Sequence, residues 1–297
     1  MKIGCCWLYA IAKYGFPPSL PDTYRALEEI AGLGFKTVEL EGVGEDNLQA
    51  VHGERKELKQ RCDDLGLAVI SFRPVLPDLV HPEKAQRFHA LDLFKQAVEA
   101  ATFFGCEMIQ TGSYAPPVEF VGEAPYKTAI RYGQQFRVKI DAGFAWGDVW
   151  SWLTDSIGAC TDEANRASLL FCLEPRVGEI VSTTDGLLRL MDAVDADNFG
   201  AVLDTAHLHA QKEILPLSVE KLGSRIYAVH AADNDGQANQ HLGVGRGTVD
   251  WEAFFQALKK HSFSGPVLVD VSDGAGLDGE YRESKTALEG LAARLEI

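Results

Sequence analysis

Eight times along the chain a short apolar run gives way to a longer stretch in which apolar residues recur every three or four positions. The runs are Lys2–Trp7, Phe35–Leu40, Leu67–Phe72, Cys106–Gln110, Leu169–Leu173, Gly200–Leu203, Ile226–Val229 and Val267–Val269. Uninterrupted apolar runs with β-branched residues suit strands buried on both faces, as in a parallel sheet. The stretches between them read as helices. The clearest carries Phe88, Leu91, Phe94, Val98 and Ala101 and stops at Gly105. A polar helix from about Asp46 to Gly66 buries Leu48, Val51, Leu58, Cys62 and Leu65. Side-chain caps are expected at Asp22 or Thr23, at Asp148 for a helix over Val149–Ala167, and at Asp250 ahead of Trp251, Phe254 and Phe255.

Strand and helix alternate at spacings of roughly 25 to 40 residues, which is the rhythm of repeated βαβ units. Eight right-handed crossovers close into a (β/α)8 TIM barrel of the α/β class, here one domain over residues 1–297. The rival, an open doubly wound sheet, wants a glycine-rich phosphate turn after the first strand. Gly4-Cys5-Cys6-Trp7 is not one. The rhythm breaks once, over residues 113–146, where Pro116, Pro117, Pro125, Gly122, Gly133 and Gly143 follow no period. This insertion after the fourth strand is expected to act as a lid or as an interface between copies of the chain.

Four of the runs end on a polar residue: Glu174, Asp204, His230 and Asp270 close the fifth to eighth strands. A lone carboxylate or imidazole buried there would cost roughly several kcal/mol. Neighbouring strands lie about 4.8 Å apart, so four successive tips can share one partner, and a divalent metal is the natural one. Three carboxylates and one imidazole favour Mn²⁺ or Mg²⁺, with Zn²⁺ and Co²⁺ as alternatives. An ion with open positions would polarise a carbonyl, and a ligand carboxylate, Glu174 or Asp270, would move the proton on the adjacent carbon through an enediolate. That is chemistry for hydroxy-ketones and hydroxy-aldehydes. His207 and Arg176 lie near the same rim and are expected to donate to substrate oxygens, unless His207 serves only a loop hydrogen bond. Asp273 is the alternative to Asp270. His209 and His241 are expected to be structural or solvent-facing. Trp7 would stack on a sugar or pack in the core.

Several segments together resemble the xylose-isomerase-like TIM-barrel superfamily of sugar isomerases and epimerases, which includes endonuclease IV. They are Gly34-Phe35-Lys36-Thr37-Val38-Glu39-Leu40, Leu173-Glu174-Pro175, Leu203-Asp204-Thr205-Ala206-His207, Val229-His230-Ala231-Ala232-Asp233-Asn234 and Leu242 to Trp251. In the ketose 3-epimerase branch the resemblance implies metal binding by Glu174, Asp204 and His230 and a substrate contact by His207. Glu39 matches a pocket-lining residue there, although a buried pair with Arg73 explains it equally. The family's fourth ligand is a glutamate that also shuttles a proton, and Asp270 holds its place. The arginine six residues after the histidine ligand is Gly236 here, so substrate orientation is expected to differ, with Arg246, Arg73 or Arg176 able to compensate. The implied function is a metal-dependent sugar isomerase or epimerase. The alternative is a lyase or dehydratase acting on a keto-sugar, 3-keto-glycoside or keto-cyclitol.

Charge narrows the partners. Lys and Arg number 28 against 43 acidic residues, a formal charge of −15 that argues against gripping nucleic acid. Endonuclease IV resemblance would also want histidines at the third and fourth strand ends, where Arg73 and Gln110 stand, so an abasic-site nuclease is disfavoured. The six cysteines show no metal-ribbon spacing, and neither a signal peptide nor a membrane span is apparent. A cytoplasmic enzyme for a small sugar or keto-polyol is expected, with no nucleic-acid or membrane partner and with homo-oligomer formation open.

Overall fold

The computed structural model describes residues 1–126, 129–272 and 276–297. β1 (Lys2–Cys5) leads through α1 (Leu8–Tyr14) and α2 (Leu20–Gly32) to β2 (Thr37–Val43). Then come α3 (Gly44–Gly53), α4 (Arg55–Leu65), β3 (Ala68–Val75), α5 (Lys84–Phe104) and β4 (Met108–Gly112). A small hairpin of β5 (Glu119–Phe120) and β6 (Val138–Lys139) precedes α6 (Trp146–Arg166) and β7 (Leu170–Glu174). The rest is α7 (Thr184–Val194), β8 (Phe199–Asp204), α8 (Thr205–Ala210), α9 (Leu215–Leu222), β9 (Ile226–Ala231), α10 (Trp251–Lys260), β10 (Pro266–Val269) and α11 (Leu277–Leu295). Eight parallel strands close into a barrel in the order β1-β10-β9-β8-β7-β4-β3-β2. The expected eight-stranded barrel is therefore the fold.

Local chemistry explains the helix ends. Gly66 and Gly105 take the left-handed conformation (φ +67° and +78°) that stops α4 and α5. Asp250 caps α10, accepting from the Ala253 amide at 3.0 Å. Two expected caps are corrected. Ser19 rather than Asp22 or Thr23 caps α2, its hydroxyl accepting from the Asp22 amide. α6 starts at Trp146, which puts Asp148 inside the first turn, where it faces the positive end of the helix dipole without capping it. The single polar helix expected after β2 is two helices, broken at Gly53-Glu54.

Strand alternation decides what reaches the site. One face of each strand packs on the helices: Phe171 and Leu173, Ala201 and Leu203, Val229 and Ala231, and Val267 and Val269 join the main core. The opposite face fills the barrel, with Met108, Cys172, Val202 and Ala228 in one cluster and Cys6, Ile70 and Leu268 in another. Two residues beyond Cys172, Val202, Ala228 and Leu268 on this inner face stand Glu174, Asp204, His230 and Asp270. The polar residues occupy the next layer up, at the C-terminal mouth. Cys5 and Cys6 split between the two faces, and all six cysteines are buried and unpaired.

The insertion lies against the loop that follows β9. Arg131 bridges to Ala238, and Asn239 both donates its amide to the Ile130 carbonyl (3.1 Å) and accepts from the Ile130 amide. Among the described residues no helix is long and apolar enough to cross a membrane.

Candidate active site

Four adjacent barrel strands bring Glu174, Asp204, His230 and Asp270 together, with one potential ligand atom from each lying within 4.8 Å of the others. Asp204 and His230 are register partners on β8 and β9. Each of the four is at most 4% exposed. His230 Nδ1 hydrogen-bonds Glu174 Oε1 at 3.0 Å and lies 4.0 Å from Asp270 Oδ2, while Nε2 stands 3.4 Å from Glu39 Oε2. Asp204 serves two purposes: Oδ1 caps α8 by accepting from the His207 amide (2.8 Å), and Oδ2 turns into the site, 3.3 Å from His241 Nε2. Asp273 lies outside the described residues.

The donor set fits a cation. Asp270 Oδ1 is buried with no hydrogen-bond partner among the described residues. Three carboxylates so arranged would repel one another without a shared positive charge. Part of that charge comes from Arg73, whose Nη1 is 2.8 Å from Glu174 Oε2, with Arg176 Nε at 3.6 Å from the same oxygen. Burial alone would raise the Glu174 carboxyl, but the two guanidiniums and His230 outweigh it and hold the group well below the usual carboxylate range. Burial raises Asp270, and the neighbouring His241 and His230 offset this only in part. Burial also pushes His207 down to about 3, leaving a neutral ring that accepts from Arg176 Nε at 3.1 Å.

Glu39 sits beneath this layer rather than lining it. It is fully buried, accepts from Ser71 Oγ (2.6 Å) and Gln110 Nε2, and faces His230 Nε2. Such a carboxylate orients an imidazole ligand and has no face left for substrate, which corrects the pocket-lining expectation. The pair with Arg73 does not form either, since the direct partner of Arg73 is Glu174. Arg246 is also corrected. It is exposed and pairs with Glu280 and Glu283 on α11, away from the cluster. Trp7 is 2% exposed and packs in the core, so it offers no ring to a sugar.

His241 is the residue that sequence reasoning missed. It is 8% exposed, with Nε2 at 3.3 Å from Asp204 and 3.5 Å from Asp270. It arrives on the loop after β9, which Asp233 pins from within by accepting from the amides of Gly245 and Val249 and from Trp251 Nε1. Asn234 ties the same loop to α8 through the Ala206 carbonyl, and its Oδ1 is paired with His209 Nδ1 at 2.8 Å. Gly247 is required by close approach: a Cβ there would lie 2.3 Å from the Asn234 carbonyl oxygen. Gly247→Ala is expected to destabilise the fold by about 1–3 kcal/mol, read as a lowered melting temperature. The glycine run Gly243–Gly247 is thus a turn.

Burial opposes protonation of His241, yet Asp204 and Asp270 raise it from 6.5 to about 9. A raised imidazole stabilises the folded chain fully below its unfolded value and loses that contribution as pH rises through the folded one. Metal-free protein should therefore lose on the order of 3 kcal/mol of stability between pH 6.5 and 9. Melting curves across that range should flatten in His241→Asn.

A family model described as Xylose isomerase-like TIM barrel matches residues 27–293. The chain belongs to this family. Among relatives of the xylose isomerase-like barrel, L-ribulose-5-phosphate 3-epimerase UlaE of Escherichia coli K12 is 21% identical over 189 residues, covering 64% of this chain and 58% of that protein. Inosose isomerase of Bacillus subtilis is 28% identical over 97 residues, 31% of this chain and 35% of that protein. The chain thus matches between about a third and three fifths of these curated relatives. Among solved barrels, 3-keto-D-glucoside 4-epimerase YcjR of E. coli aligns with a TM-score of 0.75 at 19% identity, over 98% of this chain and 99% of that one. D-psicose 3-epimerase of Clostridium cellulolyticum H10 gives 0.72 at 19%, with coverage of 98% and 99%. The IolI protein, solved with a zinc atom, gives 0.69 at 17%, with coverage of 99% and 97%.

Proposed function

We propose that this chain is an isomerase or epimerase acting on a sugar or keto-polyol, with a divalent metal, Mn²⁺ or Mg²⁺, held by Glu174, Asp204, His230 and Asp270. The observation that carries the reading is the convergence of four potential ligand atoms from four successive strands within 4.8 Å. Relatives named as epimerases and an isomerase support the reaction class. A divalent ion there supplies Lewis acidity, polarising a substrate carbonyl and acidifying the neighbouring C–H.

The side chains divide the remaining work. Glu174 has one oxygen against Arg73 and the other against His230, which suits a fixed ligand rather than a base. Asp270 has Oδ1 uncommitted and is the better proton carrier. His207 is neutral, with Nε2 accepting from Arg176 at 3.1 Å and Nδ1 facing Asn239 Nδ2 at 3.3 Å, so a substrate oxygen would reach the ring by displacing one of these partners. Glu39 holds the His230 ring. The insertion, docked over the loop after β9, serves as a lid.

The test is proton chemistry. Incubation with Mn²⁺ in D₂O and a panel of free and phosphorylated ketoses and keto-glycosides should place deuterium on carbon in at least one of them, as read by NMR. Excess chelator should abolish the exchange and added Mn²⁺ should restore it. No uptake across the panel would sink the proposal, and an unsaturated product would favour the lyase alternative.

A further inference from the structure

The mouth of the barrel holds more acceptors than its own donors satisfy. Glu41 lies two residues beyond Glu39 on the inner face of β2, opposite Arg73 in the register with β3. It is 7% exposed, and its Oε2 has no hydrogen-bond partner among the described residues. Gln110 Oε1 and Asp270 Oδ1 share that condition. Burial pushes Glu41 up to about 7, with Arg73 opposing the rise. Four carboxyl groups (Glu41, Glu174, Asp204 and Asp270) share the mouth with two guanidiniums, Arg73 and Arg176, both already against Glu174, and with the His230 and His241 rings, which are committed to Glu174, Asp204 and Asp270. Hydroxyl groups supply donors to such a surface, whereas a phosphate dianion brings only further acceptors and like charge.

We infer that Glu41 is a substrate-binding residue whose uncommitted carboxyl oxygen takes a hydroxyl of an uncharged polyhydroxylated carbonyl compound, and that the site rejects the phosphate ester of that compound. The inference deepens the isomerase reading, on which it rests for the carbonyl but not for the binding. Its rival is that Glu41 merely balances the charge of Arg73.

The experiment uses Mn²⁺-loaded full-length chain, wild type, Glu41→Ala and Glu41→Gln. Binding is measured by calorimetry for free ketopentoses, ketohexoses and 3-keto-glucosides and for their phosphate esters. Wild type should bind a free compound roughly 10- to 100-fold more tightly than its ester. Glu41→Ala should lose affinity for the free compound by a similar factor, and Glu41→Gln by less, with bound manganese and melting temperature retained. Equal or tighter binding of the ester overturns the inference. So does unchanged affinity in both variants accompanied by a lower melting temperature, which is the charge-balancing outcome. The predicted binding pattern without deuterium exchange would leave Glu41 assigned and the isomerase reading refuted. No binding across the panel would refute the assignment itself.

Discussion

Asp270→Asn is expected to slow carbon-bound deuterium exchange by roughly 10²- to 10⁴-fold at saturating Mn²⁺, the usual worth of a positioned acid or base. Asp270 has an oxygen without a partner, and its carboxyl is raised by burial, whereas both oxygens of Glu174 are engaged by cationic groups. Glu174→Gln should act differently. The amide binds metal weakly and leaves Arg73 unpaired, so exchange should fail together with manganese retention. Measuring exchange and bound manganese in parallel separates the two roles. Asp270→Asn that keeps its metal and exchanges within tenfold of wild type would show that the proton travels by another group. The single methylene separating aspartate from glutamate is informative here. Asp270→Glu restores the longer side chain and, if reach limits the transfer, should accelerate exchange.

The barrel and the four inner strand tips were legible because each signal was local and periodic. An apolar run that ends on Glu174, Asp204, His230 or Asp270 encodes its own strand, its own face and its position at the mouth. His241 had no such frame. It lies in a polar loop without a period, and its place depends on Asp233 and Asn234 pinning that loop and on Gly247 passing close to the Asn234 carbonyl. Arg246, five residues further on, was misassigned for the same reason: the turn that brings His241 inward sends Arg246 out to α11. Glu39 and Glu41 share an inward face that alternation does predict. Alternation does not say that one supports His230 from below while the other reaches the mouth. That distinction comes from the layer each occupies once the barrel closes.

Arg73 should carry the largest share of stability at the site. It is 6% exposed, paired with Glu174 at 2.8 Å and opposite Glu41 in the strand register. Burial would lower its guanidinium, but Glu174, Glu41 and Glu39 raise it well above its ordinary value, so it remains charged. Arg73→Met keeps much of the volume and removes the charge, leaving buried carboxylates uncompensated. The expected loss is about 3–5 kcal/mol, a fall in melting temperature on the order of 10 °C for metal-free protein. Manganese should recover part of it, because an ion beside Glu174 supplies positive charge to the same carboxylate. Melting curves with and without Mn²⁺ decide the matter. A variant as stable as wild type in the absence of metal would mean that Arg73 does not balance these carboxylates, and the division of labour between Glu174 as fixed ligand and Asp270 as proton carrier would lose its physical basis.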